Sequence, residues 1–228
     1  GPAPPPRRPG PTRRRLNLKN AKIMNNPDTP IKLAINGYGR IGRCFLRALH
    51  ESPLARRIEI VGINEPASLE SMAYLTRFDS THGVFPGTVD SDGDTLVING
   101  AKIRVSHATT PEEVDWQALD ADLVVECSGR YGQRAALERF LAAGCRRLLV
   151  SHPCSSADAV DRTIVHGFNH RDIDGSERIV SNASCTTNAV VPVLDLLQQA
   201  FGVDRVFITT LHSVMNDQPL IDGYHHSD

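Results

Sequence analysis

The chain has 228 residues, of which 40% are hydrophobic and 22% charged, with a formal net charge of −1. These values fit a folded globular chain with room for one large core or one domain plus part of another, and they argue against a wholly disordered polymer. No apolar run reaches about 18 residues, so no membrane-spanning helix is expected.

The charge is unevenly spread. Residues 1–30 carry Arg7, Arg8, Arg13, Arg14, Arg15, Lys19 and Lys22 against Asp28 alone, a net of +6 that leaves −7 on the remainder. Residues 1–29 are rich in proline and arginine and lack periodic apolar positions, which predicts a disordered basic tail. Such an arm suits nucleic acid or an acidic partner. The plainer reading is sequence outside the fold, with Met24 as a natural start; it lacks the apolar core of a secretory signal.

Ile31 to Asn36 reads as a buried strand. Gly37, Gly39 and Gly42 follow as G-x-G-x-x-G, and Arg40 to His50 then takes helical spacing, with Ile41, Phe45, Leu46 and Leu49 on one face. At a strand-to-helix junction the first glycine allows a tight turn. The second lets the backbone approach a pyrophosphate, and the third lets helix and strand pack closely. Ile58 to Ile63 is the next strand, and Glu65 follows it. A carboxylate there accepts hydrogen bonds from a ribose 2′-OH and repels a 2′-phosphate, favouring NAD over NADP.

Leu69 to Leu75 predicts a short helix. Thr88 to Val105 alternates as antiparallel strands, turning at Asp92-Gly93 and Asn99-Gly100. Leu123 to Cys127 is a strand ended by Ser128-Gly129, and Ser128 is a candidate contact near the nicotinamide ribose. Arg134 to Ala143 is a helix stopped by Gly144. Arg147 to Ser151 and Thr163 to Val165 are short strands. A helix starting near Cys185 runs through Ala200 to Gly202, and Arg205 to Leu211 reads as a further strand. Strands alternating with helices imply a Rossmann-type α/β fold with a mostly parallel sheet. The expected division is a dinucleotide-binding unit over 30–181, followed by the start of an α+β unit over 182–228.

Five cysteines are present: Cys44, Cys127, Cys145, Cys154 and Cys185. None forms a C-x-x-C pair or a metal-ligand spacing, which points to a reducing, cytoplasmic setting and no metal centre. His225-His226 reads as a solvated pair. Cys44 and Cys127 read as packing residues. Cys185 differs, because Ser181-Asn182-Ala183-Ser184-Cys185-Thr186-Thr187-Asn188 puts it at a helix start among small polar residues. Helix N–H groups there favour thiolate over thiol. His212, after the apolar run Val206–Leu211, is the candidate base. A thiolate that adds to an aldehyde makes a tetrahedral adduct from which hydride can leave, and the N–H of Cys185 is a candidate oxyanion donor.

Four stretches, Ile35 to Arg43, Phe78-Asp79-Ser80-Thr81-His82-Gly83, Glu126-Cys127-Ser128-Gly129 and Ser181 to Asn188, together resemble the phosphorylating glyceraldehyde-3-phosphate dehydrogenase superfamily across residues 31–228. Within it, Ser151-His152-Pro153 and the run from His212 to Pro219 through Tyr224-His225-His226 are most similar to the bacterial erythrose-4-phosphate dehydrogenase branch. Met215 stands there where the glycolytic branch has a threonine that helps hold phosphate, and a thioether cannot donate to a phosphate oxygen.

The resemblance implies NAD as cofactor, met by the backbone of Arg40 and Ile41, by Glu65, by Ser128 and by the backbone of Thr109. It implies Cys185 as nucleophile, His212 as its activator, and Ser184 and Thr186 as substrate contacts. The implied reaction oxidises D-erythrose 4-phosphate to 4-phospho-D-erythronate, with water releasing a thioester, in pyridoxal 5′-phosphate synthesis. The alternatives are glycolytic glyceraldehyde-3-phosphate oxidation and a non-catalytic module that binds nucleic acid or a partner protein through the basic tail. The acidic remainder opposes phosphate backbones. The resemblance further implies a homotetramer and a catalytic domain extending past Asp228, so that these 228 residues alone are expected to turn over little.

Overall fold

The computed structural model describes residues 29–213. The expected basic tail up to residue 28, Met215 and the Tyr224-His225-His226 run lie outside the described residues.

The strands are β1 (Ile31–Asn36), β2 (Ile58–Asn64), β3 (Phe78–Asp79), β4 (Gly83–Val84), β5 (Val89–Asp92), β6 (Thr95–Ile98), β7 (Ala101–Ser106), β8 (Leu123–Glu126), β9 (Leu148–Val150), β10 (Arg162–Thr163) and β11 (Ile179–Ser181). Four helices accompany them: α1 (Arg40–Glu51), α2 (Leu69–Arg77), α3 (Arg134–Ala142) and α4 (Cys185–Phe201). Nine strands form one sheet in the order β10-β11-β9-β8-β1-β2-β7-β6-β5, and β3 and β4 pair separately. From β10 to β7 every pairing is parallel; β6 and β5 extend the β7 edge as an antiparallel meander. The predicted mostly parallel Rossmann-type sheet is therefore present.

Its central strands are apolar on both faces, as a parallel sheet covered on both sides requires. In β1, Leu33 and Ile35 join one core with Leu46 and Leu49 of α1 and Met72 of α2. Ala34, between them, joins a second core with Leu137 and Phe140 of α3 and Trp116. The chain builds β1, β2 and β7 to one side and β8, β9 and β11 to the other, so the strand order reverses between β1 and β8. The loops after those two strands part there, and their carboxyl ends open the crevice in which this class of sheet takes ligands.

Three expectations need correction. Ile41 is not on the packed face of α1: it is 52% exposed, and the buried face is Gly42, Arg43, Leu46, Arg47 and Leu49. The arginines are accommodated because they bond to backbone carbonyls. Arg43 Nη1 donates to Tyr38 O at 3.2 Å, and Arg47 Nη2 donates to Thr76 O at 2.9 Å and Gly83 O at 3.0 Å. The strand expected at Arg205–Leu211 does not form; residues 203–213 carry no regular secondary structure. A strand needs a partner ladder, and none lies beside this segment among the described residues. The strand expected over Thr163–Val165 is two residues, Arg162–Thr163, with Ile164 and Val165 buried after it.

The motif Phe78 to Gly83 has a structural task. Asp79 accepts the N–H groups of Thr81 (2.9 Å) and His82 (2.8 Å) and pairs with Arg40 Nη1 at 2.6 Å, its side chain 1% exposed. Burial alone would raise this carboxyl's pKa; the His82 N–H, the Arg40 guanidinium and the Thr81 N–H outweigh it and hold the pKa at about 2. A depressed carboxyl stabilises the fold above its unfolded pKa near 3.8 and loses that contribution as pH falls towards 2. We expect urea unfolding at several pH values to show a loss of about 2 kcal/mol across that window. Asp79→Asn is expected to flatten that part of the acid limb and to cost about 2 kcal/mol at neutral pH by removing the charge that holds the Arg40 guanidinium and the Thr81 and His82 N–H groups.

Candidate active site

Two of the crevice's glycines, Gly37 and Gly42, leave no room for a side chain. Gly37 has φ +86°, and a Cβ on it would sit 2.5 Å from Ser128 N and 2.6 Å from Ser128 Cα, so the two diverging loops touch backbone to backbone. A Cβ on Gly42 would meet Gly37 O at 2.4 Å, which fixes how closely α1 approaches the turn. Gly39 differs, for its Cβ would meet nothing within 4 Å. It is also the N-cap of α1 and provides no side-chain cap. An open, uncapped helix N-terminus beside a glycine turn fits a pyrophosphate. Arg40 turns its guanidinium to Asp79, so any approach to that phosphate is left to the backbone, beside the outward-facing Ile41.

Glu65 follows β2. Its Oε2 accepts Tyr38 N at 2.7 Å and its Oε1 accepts Ala67 N at 3.2 Å, which ties the glycine turn to the end of β2. Each oxygen keeps acceptor capacity for a ribose hydroxyl. His107 Nδ1 lies 2.8 Å from Glu65 O and so carries the proton of that bond. Thr109, at the same sheet edge, has its N–H (2.9 Å) and hydroxyl (3.3 Å) on Glu113 Oε2, which leaves its carbonyl for any ligand. The hydroxyl and N–H of Ser128 both point to Glu126 Oε1.

The strand leading to the cysteine ends at Ser181. Asn182 N donates to Val150 O at 2.9 Å, and the chain then turns through Ala183 at φ +58°, a left-handed conformation uncommon for a residue with a Cβ. Asn188 Nδ2 clamps the turn by donating to Asn182 O (2.7 Å) and Ser184 O (2.9 Å). Ser184 is the N-cap of α4, its Oγ accepting Thr187 N at 3.0 Å. That cap commits the Ser184 hydroxyl to the helix and sets Cys185 as the first helical residue.

Cys185 Sγ lies 3.0 Å from His212 Nε2, and His212 Nδ1 lies 2.7 Å from Ser213 O. A carbonyl only accepts, so Nδ1 carries a proton and Nε2 faces the sulfur as the acceptor for the thiol proton. The His212 contact foremost, with the N–H and hydroxyl of Thr186, holds the Cys185 thiol below the ordinary thiol range. The Ser213 carbonyl and then the sulfur shift His212 upward. The other thiols behave oppositely: burial pushes Cys127 and Cys145 up to about 12 and raises Cys154. Cys185 is also the one exposed cysteine. Among the described residues no group of side chains has the make-up of a metal site, and no helix is long and apolar enough to cross a membrane.

Sequence reasoning missed the polar residues beneath these loops, namely Asp79, which holds Arg40, and Asn36, Asn64 and Glu126, which end three adjacent strands. The readable signal was repetition: both β1 and β2 close on Ile-Asn immediately before the loop that carries a candidate cofactor residue.

Residues 31–134 match the model of the glyceraldehyde 3-phosphate dehydrogenase NAD-binding domain, and residues 184–228 match that of the glyceraldehyde 3-phosphate dehydrogenase C-terminal domain. The two matches together cover well over half of the sequence, and the uncapped glycine turn and the cysteine–histidine pair fall one in each. NAD is therefore the cofactor of this sheet, and the chain belongs to the glyceraldehyde-3-phosphate dehydrogenase superfamily.

Proposed function

We propose that the chain carries the cofactor site and the reacting thiol of an NAD-dependent aldehyde-phosphate dehydrogenase whose substrate is D-erythrose 4-phosphate. The observation that carries the chemistry is the 3.0 Å approach of Cys185 Sγ to His212 Nε2 at the start of α4. His212 takes the thiol proton, and the thiolate adds to the aldehyde carbon. The negative charge that develops on the aldehyde oxygen is met by the Cys185 N–H at the helix N-terminus. The His212 imidazolium protonates that oxygen, and the neutral imidazole then takes the hydroxyl proton back as hydride leaves and passes it to solvent. Bound NAD supplies the hydride acceptor that converts the adduct to a thioester. His212 then activates water, and hydrolysis releases 4-phospho-D-erythronate and regenerates the thiol.

Gly37, Gly39, Arg40, Ile41 and Gly42 hold the pyrophosphate by backbone groups in this reading. Glu65 takes the ribose, the Thr109 carbonyl faces the adenine, and Ser128 stands on the nicotinamide side. Thr186 lies beside the reacting sulfur as the substrate contact, while Ser184 acts through the helix cap. The choice of erythrose 4-phosphate rests on Ser151-His152-Pro153 and on Met215, where a phosphate-binding threonine would favour phosphorolysis. A role in pyridoxal 5′-phosphate synthesis and a homotetramer go with that choice.

The test is NADH formation with erythrose 4-phosphate and with glyceraldehyde 3-phosphate, each with and without inorganic phosphate. Oxidation of erythrose 4-phosphate that needs no phosphate is expected. Strict phosphate dependence with the triose would reverse the choice in favour of the glycolytic reaction.

A further inference from the structure

The last residues of β2, β1 and β8 lie in one row across the sheet: Asn64 is the register partner of Asn36, and Asn36 is the register partner of Glu126. All three are buried, and Glu126 is 0% exposed. Their side chains form a single hydrogen-bonded bar. Asn64 Oδ1 accepts Ala108 N at 3.0 Å and Ser106 Oγ at 2.9 Å. A backbone N–H can only donate, so the amide orientation of Asn64 is fixed, and its Nδ2 donates to Asn36 Oδ1 at 2.8 Å. This fixes Asn36 in turn, whose Nδ2 donates to Glu126 Oε2. The other carboxylate oxygen accepts both the N–H and the hydroxyl of Ser128. Asn64 Nδ2 also donates to Ala108 O at 3.1 Å, but the side-chain chain of donors runs from Asn64 through Asn36 to Glu126, which has no ion-pair partner among the described residues.

The bar lies under the loops that make the cofactor crevice. Gly37 N donates to Asn64 O at 2.9 Å, and Cys127 N donates to Asn36 O at 2.7 Å. The glycine turn, which meets the Ser128 loop with no space for a methyl group, is thus tied to the Asn64 backbone, and the Ser128 loop to the Asn36 backbone and the Glu126 side chain. A buried carboxylate without a counter-ion is costly. Hydrophobic residues at these strand ends would avoid that cost, but they would not fix the spacing of two diverging loops.

We propose that Asn36 and Glu126 are a positioning pair for the dinucleotide crevice, setting the separation of the Gly37 and Ser128 loops through one donor–acceptor contact. The proposal rests on NAD being the cofactor and not on which sugar phosphate is oxidised. The ionisable groups that act on Glu126 are His152 after β9, and Cys127 and Tyr131 after β8. The pair has a polarity that can be reversed. Glu126→Gln puts an amide donor against either the Asn36 donor or the Ser128 N–H, and Asn36→Asp puts an acceptor against an acceptor. The double variant Asn36→Asp/Glu126→Gln restores every contact in the bar with the charge moved by one strand.

NAD affinity, measured by titration calorimetry on the folded protein, reads this without the aldehyde reaction. Each single variant is expected to weaken NAD binding by about tenfold or more, the scale of one buried unsatisfied donor or acceptor. The double variant is expected to return to within about threefold of the parent. In Asn36→Asp the two facing carboxyls share a proton, so its NAD affinity should recover as pH is lowered, a trend absent from the double variant. Single variants that melt at lower temperature but bind NAD as the parent does would overturn the proposal, and so would a double variant no better than the weaker single. Should one single variant fail to fold, the double variant is compared with the other single: recovery of NAD affinity supports the bar and no recovery overturns it. A parent that does not bind NAD refutes the cofactor assignment itself, and with it the proposal, whereas failure on erythrose 4-phosphate alone leaves it standing.

Discussion

Cys185→Ser is expected to abolish NADH formation, by about a thousandfold or more, while leaving NAD affinity unchanged. A serine hydroxyl has neither the acidity nor the nucleophilicity to form the covalent adduct without stronger activation. His212→Asn should cost about a hundredfold to ten-thousandfold, the range for loss of a positioned general base. The two are distinguishable by the thiol itself. Alkylation of Cys185 by iodoacetamide, followed against pH, reports its ionisation. The His212 contact is the foremost cause of the lowered Cys185 pKa, so His212→Asn should move the alkylation midpoint upward. Cys127 and Cys145, pushed up to about 12 by burial, should stay unreactive in the folded protein, and peptide mapping separates the Cys185 signal from the partly exposed Cys44 and Cys154. An unmoved midpoint in His212→Asn would show that the helix start and Thr186 hold the thiolate without the imidazole.

Gly37→Ala is the second large effect. The added methyl group meets the Ser128 backbone at 2.5 Å, and the residue sits at φ +86°. Neither problem is relieved by turning a side chain, because both neighbours are main chain in loops tied to adjacent strands. We expect a stability loss of about 3 kcal/mol or more in chemical denaturation, combining a strained φ with an overpacked contact. Gly42→Ala meets Gly37 O at 2.4 Å and is expected to act by lifting α1 from the turn. Gly39→Ala is the internal control. Its Cβ has open space in this structure, so the fold should survive, and an effect confined to NAD affinity would mark the space as belonging to the pyrophosphate.

The parts that were readable in the sequence are those where one local rule dominates. Two-faced apolar strands, the glycine spacing and the Asp92-Gly93 and Asn99-Gly100 turns all report their surroundings without long-range knowledge. The parts that were not readable depend on a partner far away in the chain. Arg43 and Arg47 look like solvent residues until Tyr38, Thr76 and Gly83 offer their carbonyls. Ile41 looks like core until those arginines occupy the buried face of α1. Asn36 and Glu126 are 90 residues apart, and only strand register makes them neighbours. Arg205–Leu211 has strand-like composition but no ladder beside it among the described residues. The cysteine and histidine were legible as chemistry, and their 3.0 Å approach was not, since they stand 27 positions apart across helix and loop.

The left-handed turn at Ala183 carries a further consequence for anyone altering this protein. Its methyl group is buried at 4% exposure while its backbone holds a conformation that branched side chains resist. Glycine and asparagine are the substitutions this geometry admits most readily; valine or isoleucine would force the turn to relax. Relaxation would swing the start of α4 and redirect the sulfur, so reactivity would change although no reacting atom had been touched. Residue 183 is thus a place where the aim of the nucleophile, and with it the His212 contact that governs its acidity, can be altered without touching a reacting atom.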